Sequence, residues 1–561
     1  MTGPALHGTD AAAPAAGSRG AGLPRPPRLR IVLGLARIEA LLMVRSMLVL
    51  AGLLAGVLAV WGWFWLNPVQ PLWWWADWRI GVAELILAMT VLVAAQLAAG
   101  RARRDAMADL YASFPATAGT RTLACLAGLA GAAPASVLLA GAAAMLVQLR
   151  GAIGAPGIMV LAGGVVLVIA AGAAGTAIGS RFPHPLAGLL GALALFLPTA
   201  TAHLLPGWSI WLIPWHYFPD QLGWLPGPLT GYPPAGAHAA ELAGAAILAA
   251  IAALAVTVRN TRARGLLAAA GILAMAAIVV AGAVQLEPVP AAELNHLAAE
   301  MADPGSLQHC TTASQVRYCL YPGFGRDLSS IEAPVNEVLA LLPARPSQPL
   351  TVRQVLSVDF TDPSLTRGQP QQQVSRWTAQ TRNAPDTITT ASAIYLDVGE
   401  WPTPGGWLTR ADFNLALATA DWAVGFTPAS QNLPYLPGDQ AREAIAIWLA
   451  ILATHPPAGE LQHGVQRAQF SLQRGRPTSA AIWSQPGQGI GGVTAPASQQ
   501  SLPAAVYLLA KAMTGLPEQK VSQVLKDRWA TWLNGRTTGA QLAAALGIQV
   551  PDGPLPPYPK S

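Results

Sequence analysis

The sequence predicts a polytopic α-helical membrane protein that carries a C-terminal α+β domain. Three observations lead there. Of the 561 residues 53% are hydrophobic and only 11% are charged, against about 25% charged in an ordinary soluble domain. The charge is unevenly divided. Residues 1–286 hold 16 Arg, no Lys and 8 acidic side chains, a net of +8, whereas residues 287–561 hold 18 basic and 20 acidic, a net of −2, giving +6 for the chain. Finally, seven apolar runs near the roughly 20 residues that cross a bilayer all fall in the first half.

The chain opens with "MTGPALHGTDAAAPAAGSRGAGLP", rich in Ala, Gly and Pro and without apolar periodicity. This composition predicts a disordered tail over residues 1–27. No cleavable signal peptide is expected, because the first apolar run begins late and continues too long. The predicted spans are residues 46–66, 80–100, 122–148, 158–179, 186–205, 239–258 and 266–286. The fourth and fifth are separated only by "SRFPHP", which requires a tight turn.

Arginine placement sets the expected orientation. Arg25, Arg28, Arg30, Arg37 and Arg45 precede the first span; Arg101, Arg103, Arg104 and Arg121 follow the second; Arg181 follows the fourth; Arg259, Arg262 and Arg264 follow the sixth. The opposite loops offer Arg79 and Arg150. The positive-inside rule then predicts a multi-pass protein of the cell membrane with a cytoplasmic N-terminus and, after seven spans, residues 287–561 in the extracytoplasmic space. Two aromatic stretches, "WGWFWLNPVQPLWWWADW" and "WSIWLIPWHYF", fall on the predicted outer side, where Trp and Tyr favour the interface. The second sits in a Pro- and Gly-rich stretch that is expected to dip back into the outer leaflet.

Cysteine usage points the same way. Cys125 starts a span and reads as a small buried residue. Cys310 and Cys319, in "QHCTTASQVRYCLYPGF", have eight residues between them, with strand-like flanks and a turn-prone middle. That spacing suits a disulfide across a hairpin, which persists in an oxidising compartment. The alternative is two unrelated thiols.

In the C-terminal half, strands are expected at "LTVRQVLSVDF" and "ASAIYLDVGEW". Helices are expected at "PAAELNHLAAEMA", "SSIEAPVNEVLALLP", "LTRADFNLALATADWAVGF", "GDQAREAIAIWLAILATH", "SLPAAVYLLAKAMTG", "PEQKVSQVLKDRWATWLNG" and "TTGAQLAAALGIQVP". The nine-residue apolar run "IAIWLAILA" is flanked too closely by charge to span. "GQGIGGVTAP" reads as a loop.

The sequence contains no G-x-x-x-x-G-K-[ST], no H-E-x-x-H and no G-x-S-x-G. His296, His309, His455 and His463 are scattered rather than clustered. No catalytic residue, no resident cofactor and no metal site are therefore expected. The basic balance lies in loops beside apolar runs, so it points to the lipid bilayer and not to nucleic acid. Ionisable groups within spans are costly, which singles out Glu84, His203 and Glu241 as candidates for lining a transport path or for local pairing at the interface.

The segment "GRARRDAMADLYASFPATAGTRT" interrupts two apolar runs. On a helix over 101–114, Met107, Leu110, Tyr111 and Phe114 form one apolar stripe at i, i+3, i+4 and i+7. Arg101 and Asp105 are spaced i, i+4, as are Asp105 and Asp109. The helix should stop near Phe114, because Pro115 disfavours an α conformation in the residue before it. Such an amphipathic helix would lie on lipid headgroups or dock on a protein.

Here the chain resembles the permease subunits of type-2 ABC transporters, whose core has six membrane helices. In that family an amphipathic helix precedes the first span, and "RLRIVLGLARIEALLMVRS" is similar to it. The family's segment between spans 2 and 3 forms a coupling helix that docks on a cytoplasmic ATPase. "DLYASFPATAGTRTLACLAGLAG" resembles it, with Asp109, Leu110, Phe114, Pro115 and Arg121 in corresponding places. "GTAIGSRFPHPLAGLLGAL" resembles the Gly-rich end of the family's fourth span and its turn. The likeness covers about residues 28–258. A seventh span and the C-terminal domain depart from it, although the cysteine hairpin resembles an exodomain of some actinobacterial permeases.

The resemblance implies a permease that exports a hydrophobic or amphipathic compound, with ATP and Mg bound by the partner ATPase and not by this chain. It implies three partners: that ATPase, a second permease copy or related permease, and the bilayer. Arg101, Arg104, Asp105, Asp109, Leu110, Tyr111, Phe114, Pro115 and Arg121 would receive the force. The competing reading is a membrane-anchored extracytoplasmic ligand-binding or sensor protein.

Overall fold

The computed structural model describes residues 28–66, 73–105, 116–152, 157–202, 235–258, 260–287, 289–355, 360, 366, 368–388, 393–397, 410–425, 439–455, 493–494 and 504–549. The N-terminal tail, residues 67–72 of the first aromatic stretch, the whole of the second, and "GQGIGGVTAP" except two residues lie outside these.

The first half is a helical bundle. Its elements are α1 (Arg28–Val44), α2 (Met47–Leu66), α3 (Trp73–Arg104), α4 (Ala118–Gly128), α5 (Ala133–Leu149), α6 (Ile158–Arg181), α7 (Pro185–Ala202), α8 (Ala235–Ala255) and α9 (Thr261–Gln285). Among the described residues five helical segments are long and apolar enough to cross a membrane, and a sixth counts if α1 and α2, bent by 49° at their junction, form one span. The predicted fifth span, residues 186–205, coincides with α7 as far as Ala202, and residues 203–205 lie outside the described residues. The architecture is that of a polytopic helical protein, with five to six such spans among the described residues.

The predicted span 122–148 is one path made of two helices. A single 3-10 turn, Leu129–Gly131, joins α4 to α5. Pro134 sits in the first turn of α5, where its missing N–H costs nothing. The break also carries a packing role. A Cβ on Gly128 would meet Glu39 Cβ at 2.7 Å, and one on Gly131 would meet Ala40 O at 2.6 Å, so α1 lies directly on this turn.

At the centre of the bundle is α3, which packs against α2, α5, α6 and α7. Its apolar face, including Ile80, Ala83, Leu87, Val91 and Ala95, is fully buried. Helix α6 runs beside it in the same direction, with Asp77 near Gly157, Glu84 near Gly164, Leu92 near Gly175 and Gln96 near Gly179. A Cβ on Gly175 would overlap the Leu92 carbonyl oxygen and lie 2.9 Å from its carbon. Glycine is required there by backbone contact. The "GTAIG" spacing of Gly175 and Gly179 repeats that contact after four residues, the small-residue arrangement that lets membrane helices approach closely.

The C-terminal half is α+β, as expected. Its elements are α10 (Ala291–Ala302), β1 (His309–Ala313), β2 (Val316–Leu320), α11 (Leu328–Leu341), β3 (Leu350–Val355), α12 (Gln371–Ile388), β4 (Ala393–Asp397), α13 (Arg410–Ala423), α14 (Asp439–Thr454), β5 (Val493–Thr494), α15 (Ala504–Thr514), α16 (Glu518–Asp527), α17 (Trp529–Trp532) and α18 (Gly539–Leu546). The sheet has the order β1-β2-β3-β4-β5. Its outer pairs are antiparallel, and β2-β3 and β3-β4 are parallel, with α11 and α12 as the crossovers.

Two apolar cores serve this domain. One gathers Tyr318, Val352, Ile394 and Trp377 around the sheet. The other surrounds α14, whose residues Ile445 to Ile451 are all buried. The uninterrupted apolar run is therefore the central helix of a globular core. Helix α12 was not expected: its sequence is polar, and among its described side chains the buried ones are Val374 and Trp377, three residues apart on one face. Trp377 anchors it, stacking near Phe360 with ring centroids 5.7 Å apart and donating its indole N–H to Asn295 Oδ1 at 2.8 Å.

The cysteine hairpin forms as predicted. Cys310 and Cys319 lie directly opposite each other and are disulfide-bonded. Ser314 and Gln315 turn the chain with φ of 52° and 69°, the left-handed pair that a two-residue hairpin needs. Replacing both cysteines by serine is expected to lower the unfolding free energy of this domain by roughly 2–3 kcal/mol, checked by denaturant unfolding of the full chain with and without reductant.

Candidate functional site

Helix α3 carries several of the polar groups that the bundle buries. Asp77, Arg79, Glu84 and Gln96 are all within it. Asp77 and Glu84 are seven residues apart, two turns, and so share the face toward α6. Glu84 is 1% exposed and accepts a hydrogen bond from Ser136 Oγ of α5 at 3.2 Å. Its carboxyl group fills the place where a side chain on Gly164 of α6 would be. Asp77 Oδ2 accepts from the Gly157 N–H at 3.0 Å, at the N-terminus of α6. Arg79 turns elsewhere, its guanidinium 4.9 Å from the Trp63 ring centroid. Thus Glu84 lies at a three-helix junction inside the protomer.

Two turns beyond the middle of α3, Gln96 holds the tight turn between α6 and α7. Its Nε2 donates to Phe182 O at 3.1 Å and to His184 O at 3.0 Å. A single neutral side chain thereby satisfies two turn carbonyls and ties the α6–α7 corner to the central helix. Gln96 escaped the sequence reading because it carries no charge; a buried amide in a span was the available signal.

The basic run after span 2 is continuous with the bundle. Arg101 and Arg104 form the last turn of α3, and the Asp105 N–H still donates to Arg101 O at 3.0 Å. The expected separate helix over 101–114 therefore begins as an extension of α3. Arg104 pairs with Asp105 at 3.1 Å on the surface, in place of the expected Arg101–Asp105 pairing. Arg101 interacts electrostatically with Glu39 of α1. Asp109, Leu110, Tyr111, Phe114 and Pro115 lie outside the described residues. Thr117 caps α4 by accepting the Thr120 N–H, and Arg121 follows half-buried in the first turn.

At the end of the bundle nearest the C-terminal domain, Glu241 and His238 of α8 meet Gln285 of α9. Gln285 Nε2 donates to Glu241 Oε2 at 2.5 Å, and its Oε1 lies 2.9 Å from His238 Nδ1. Glu241 is thus paired locally at the last helix turn before residue 287. His203 lies outside the described residues. The C-terminal domain touches the bundle through Arg326 Nη1, which donates to Gly151 O at 2.8 Å.

Among the described residues, no group of three or more His, Cys, Asp or Glu could hold a metal ion. His296 pairs with Glu300 at 3.2 Å on α10, and His309 is exposed on β1. His463 is outside the described residues.

The C-terminal domain also buries Asp421 of α13 and Glu443 of α14, 6% and 2% exposed. Burial, and then the like charge of Glu443, push the Asp421 carboxyl well above the usual carboxylate range. The fold therefore favours the neutral acid. The stability it contributes is complete below the ordinary carboxylate pKa and is lost as pH rises toward the raised folded value. Asp421→Asn, which cannot ionise, is expected to raise the melting temperature of the full chain at pH 8 and leave it unchanged near pH 4. A shared pH profile for the two proteins would contradict this. Sequence reasoning missed the pair, although Asp421 lies four residues after the buried Leu417 and so on the apolar face of its helix.

Comparison with known proteins gives no neighbour: no family model, no curated protein and no solved structure matches the chain. The class that the fold defines is a polytopic helical bundle with an appended disulfide-bonded α+β domain.

Proposed function

We propose that the chain is the membrane-spanning permease subunit of an ATP-driven transporter of the type-2 ABC class, moving a hydrophobic or amphipathic compound and powered by a separate ATPase. The observation that carries this reading is the continuity of the basic Arg101–Arg104 turn with α3, the helix around which the bundle is built. Force applied to residues 101–121 would reach α2, α5, α6 and α7 through one rigid rod. The bend of 49° between α1 and α2 also suits a helix lying along the membrane before the first span.

In this reading the N-terminus and residues 101–121 face the cytoplasm, and residues 287–561 lie outside. The disulfide supports that side, since such bonds persist in oxidising compartments. The chain supplies positioning and motion, and ATP hydrolysis with its Mg belongs to the partner. Alternating access would arise from rigid-body rearrangement of the bundle.

Leu110 and Phe114 are the proposed apolar anchors for the ATPase. Interface anchors contribute about 2 kcal/mol or more each, so Leu110→Ala with Phe114→Ala should reduce co-purification of the ATPase by at least about tenfold. Unchanged recovery of the ATPase with the double variant would rule out this docking site. Failure of the wild-type chain to recruit any ATPase would favour the anchored ligand-binding reading instead.

A further inference from the structure

We propose that Glu84 is a proton-binding site of the bundle, held as the neutral acid while α3, α5 and α6 are closed around it. Glu84 is 1% exposed, and its partner is one neutral hydroxyl, Ser136 Oγ at 3.2 Å. The wall opposite is the backbone of Gly164, which leaves room for the carboxyl but presents no cationic side chain.

The charged groups of the described elements packed on α3 give the same result: α7 has no ionisable residue, and α4 brings only Arg121, at the far end beside Arg101. Helix α2 has no ionisable residue, and neither has α5. Helix α6 carries only Arg181, in its last turn at the far end. On α3 itself, Asp77 is two turns away and is another acid, 5% exposed, with Oδ1 buried without a hydrogen-bond partner. Arg79 is directed to Trp63. Arg150 lies beyond the end of α5. Helix α8, packed on α6, brings His238 and Glu241, which are joined through Gln285.

Two ionised carboxylates on one buried helix face, with a hydroxyl and an amide as donors, would be strongly disfavoured in low dielectric. A bound proton removes the charge at Glu84 without moving any helix. Parting α3 from α6 would admit water to Glu84, and the proton would then leave to solvent. Opening the bundle thus becomes easier as pH rises. This inference does not require that an ATPase drive the motion.

Infrared difference spectroscopy on the full chain in lipid bilayers at pH 7.5 tests it. Wild type minus Glu84→Gln should show a protonated carboxyl C=O band that shifts in D2O. The band should persist in Asp77→Asn. Ser136→Ala should shift its frequency without removing it, which identifies the carboxyl even if the glutamine variant folds poorly. Buried acids of the C-terminal domain cancel in the difference. Loss of an ionised carboxylate band in Glu84→Gln would overturn the proposal, as would a protonated band that disappears in Asp77→Asn alone.

Discussion

Gly175→Leu is expected to take apart the helical half of the protein. The site has no space for even one added carbon, because a Cβ would overlap the Leu92 carbonyl oxygen of the central helix. Backbone cannot rotate aside as a side chain can, so α3 and α6 must separate. Overpacking a tight core usually costs about 1–3 kcal/mol, and here further contacts fail with it. Gly179 faces Gln96 O one turn away, and Gln96 fixes the α6–α7 corner. In lipid there is little hydrophobic force to hold displaced helices together, since the tails are as apolar as the side chains. The purified variant should melt well below wild type and lose its single size-exclusion peak. Gly141→Ala is the control, because nothing lies within 4 Å of its added carbon and alanine favours the helix. Wild-type melting of Gly175→Leu would mean that α3 and α6 are farther apart than described.

Trp448→Ala should have a comparable effect confined to the other half. Trp448 is 1% exposed on α14, and its neighbours Ile445, Leu449 and Ile451 are also buried. Truncating a fully buried Trp costs about 3–5 kcal/mol, from lost transfer energy and from the cavity left behind. That is a large part of the roughly 5–15 kcal/mol that stabilises a domain. Denaturant unfolding followed by fluorescence should show the C-terminal transition at lower denaturant while the bundle transition stays in place. A change below about 1 kcal/mol, the centre of ordinary point mutations, would contradict the central position given to α14.

What was legible in the sequence was whatever depends on apolar length and periodicity. The span-length runs, the two halves, the cysteine hairpin and most C-terminal helices follow from such patterns. Helix α12 did not, because its stability comes from Trp377 meeting Asn295 and Phe360, a tertiary contact that local polarity conceals. Glu84 was legible as a costly charge, and its burial between three helices was not. Gln96 was invisible to a search for ionisable groups. The close approach of α3 and α6 was only half legible, because glycine spacing marks a contact without naming the partner.

The central claim is that the bundle is moved from residues 101–121 by a separate nucleotide-hydrolysing subunit. Its most direct test is ATP hydrolysis by the chain reconstituted in bilayers with its co-purifying ATPase. The account predicts that hydrolysis depends on the intact 101–121 segment and falls to the rate of the isolated ATPase in Leu110→Ala with Phe114→Ala. A hydrolysis rate that is the same with and without this chain would contradict it.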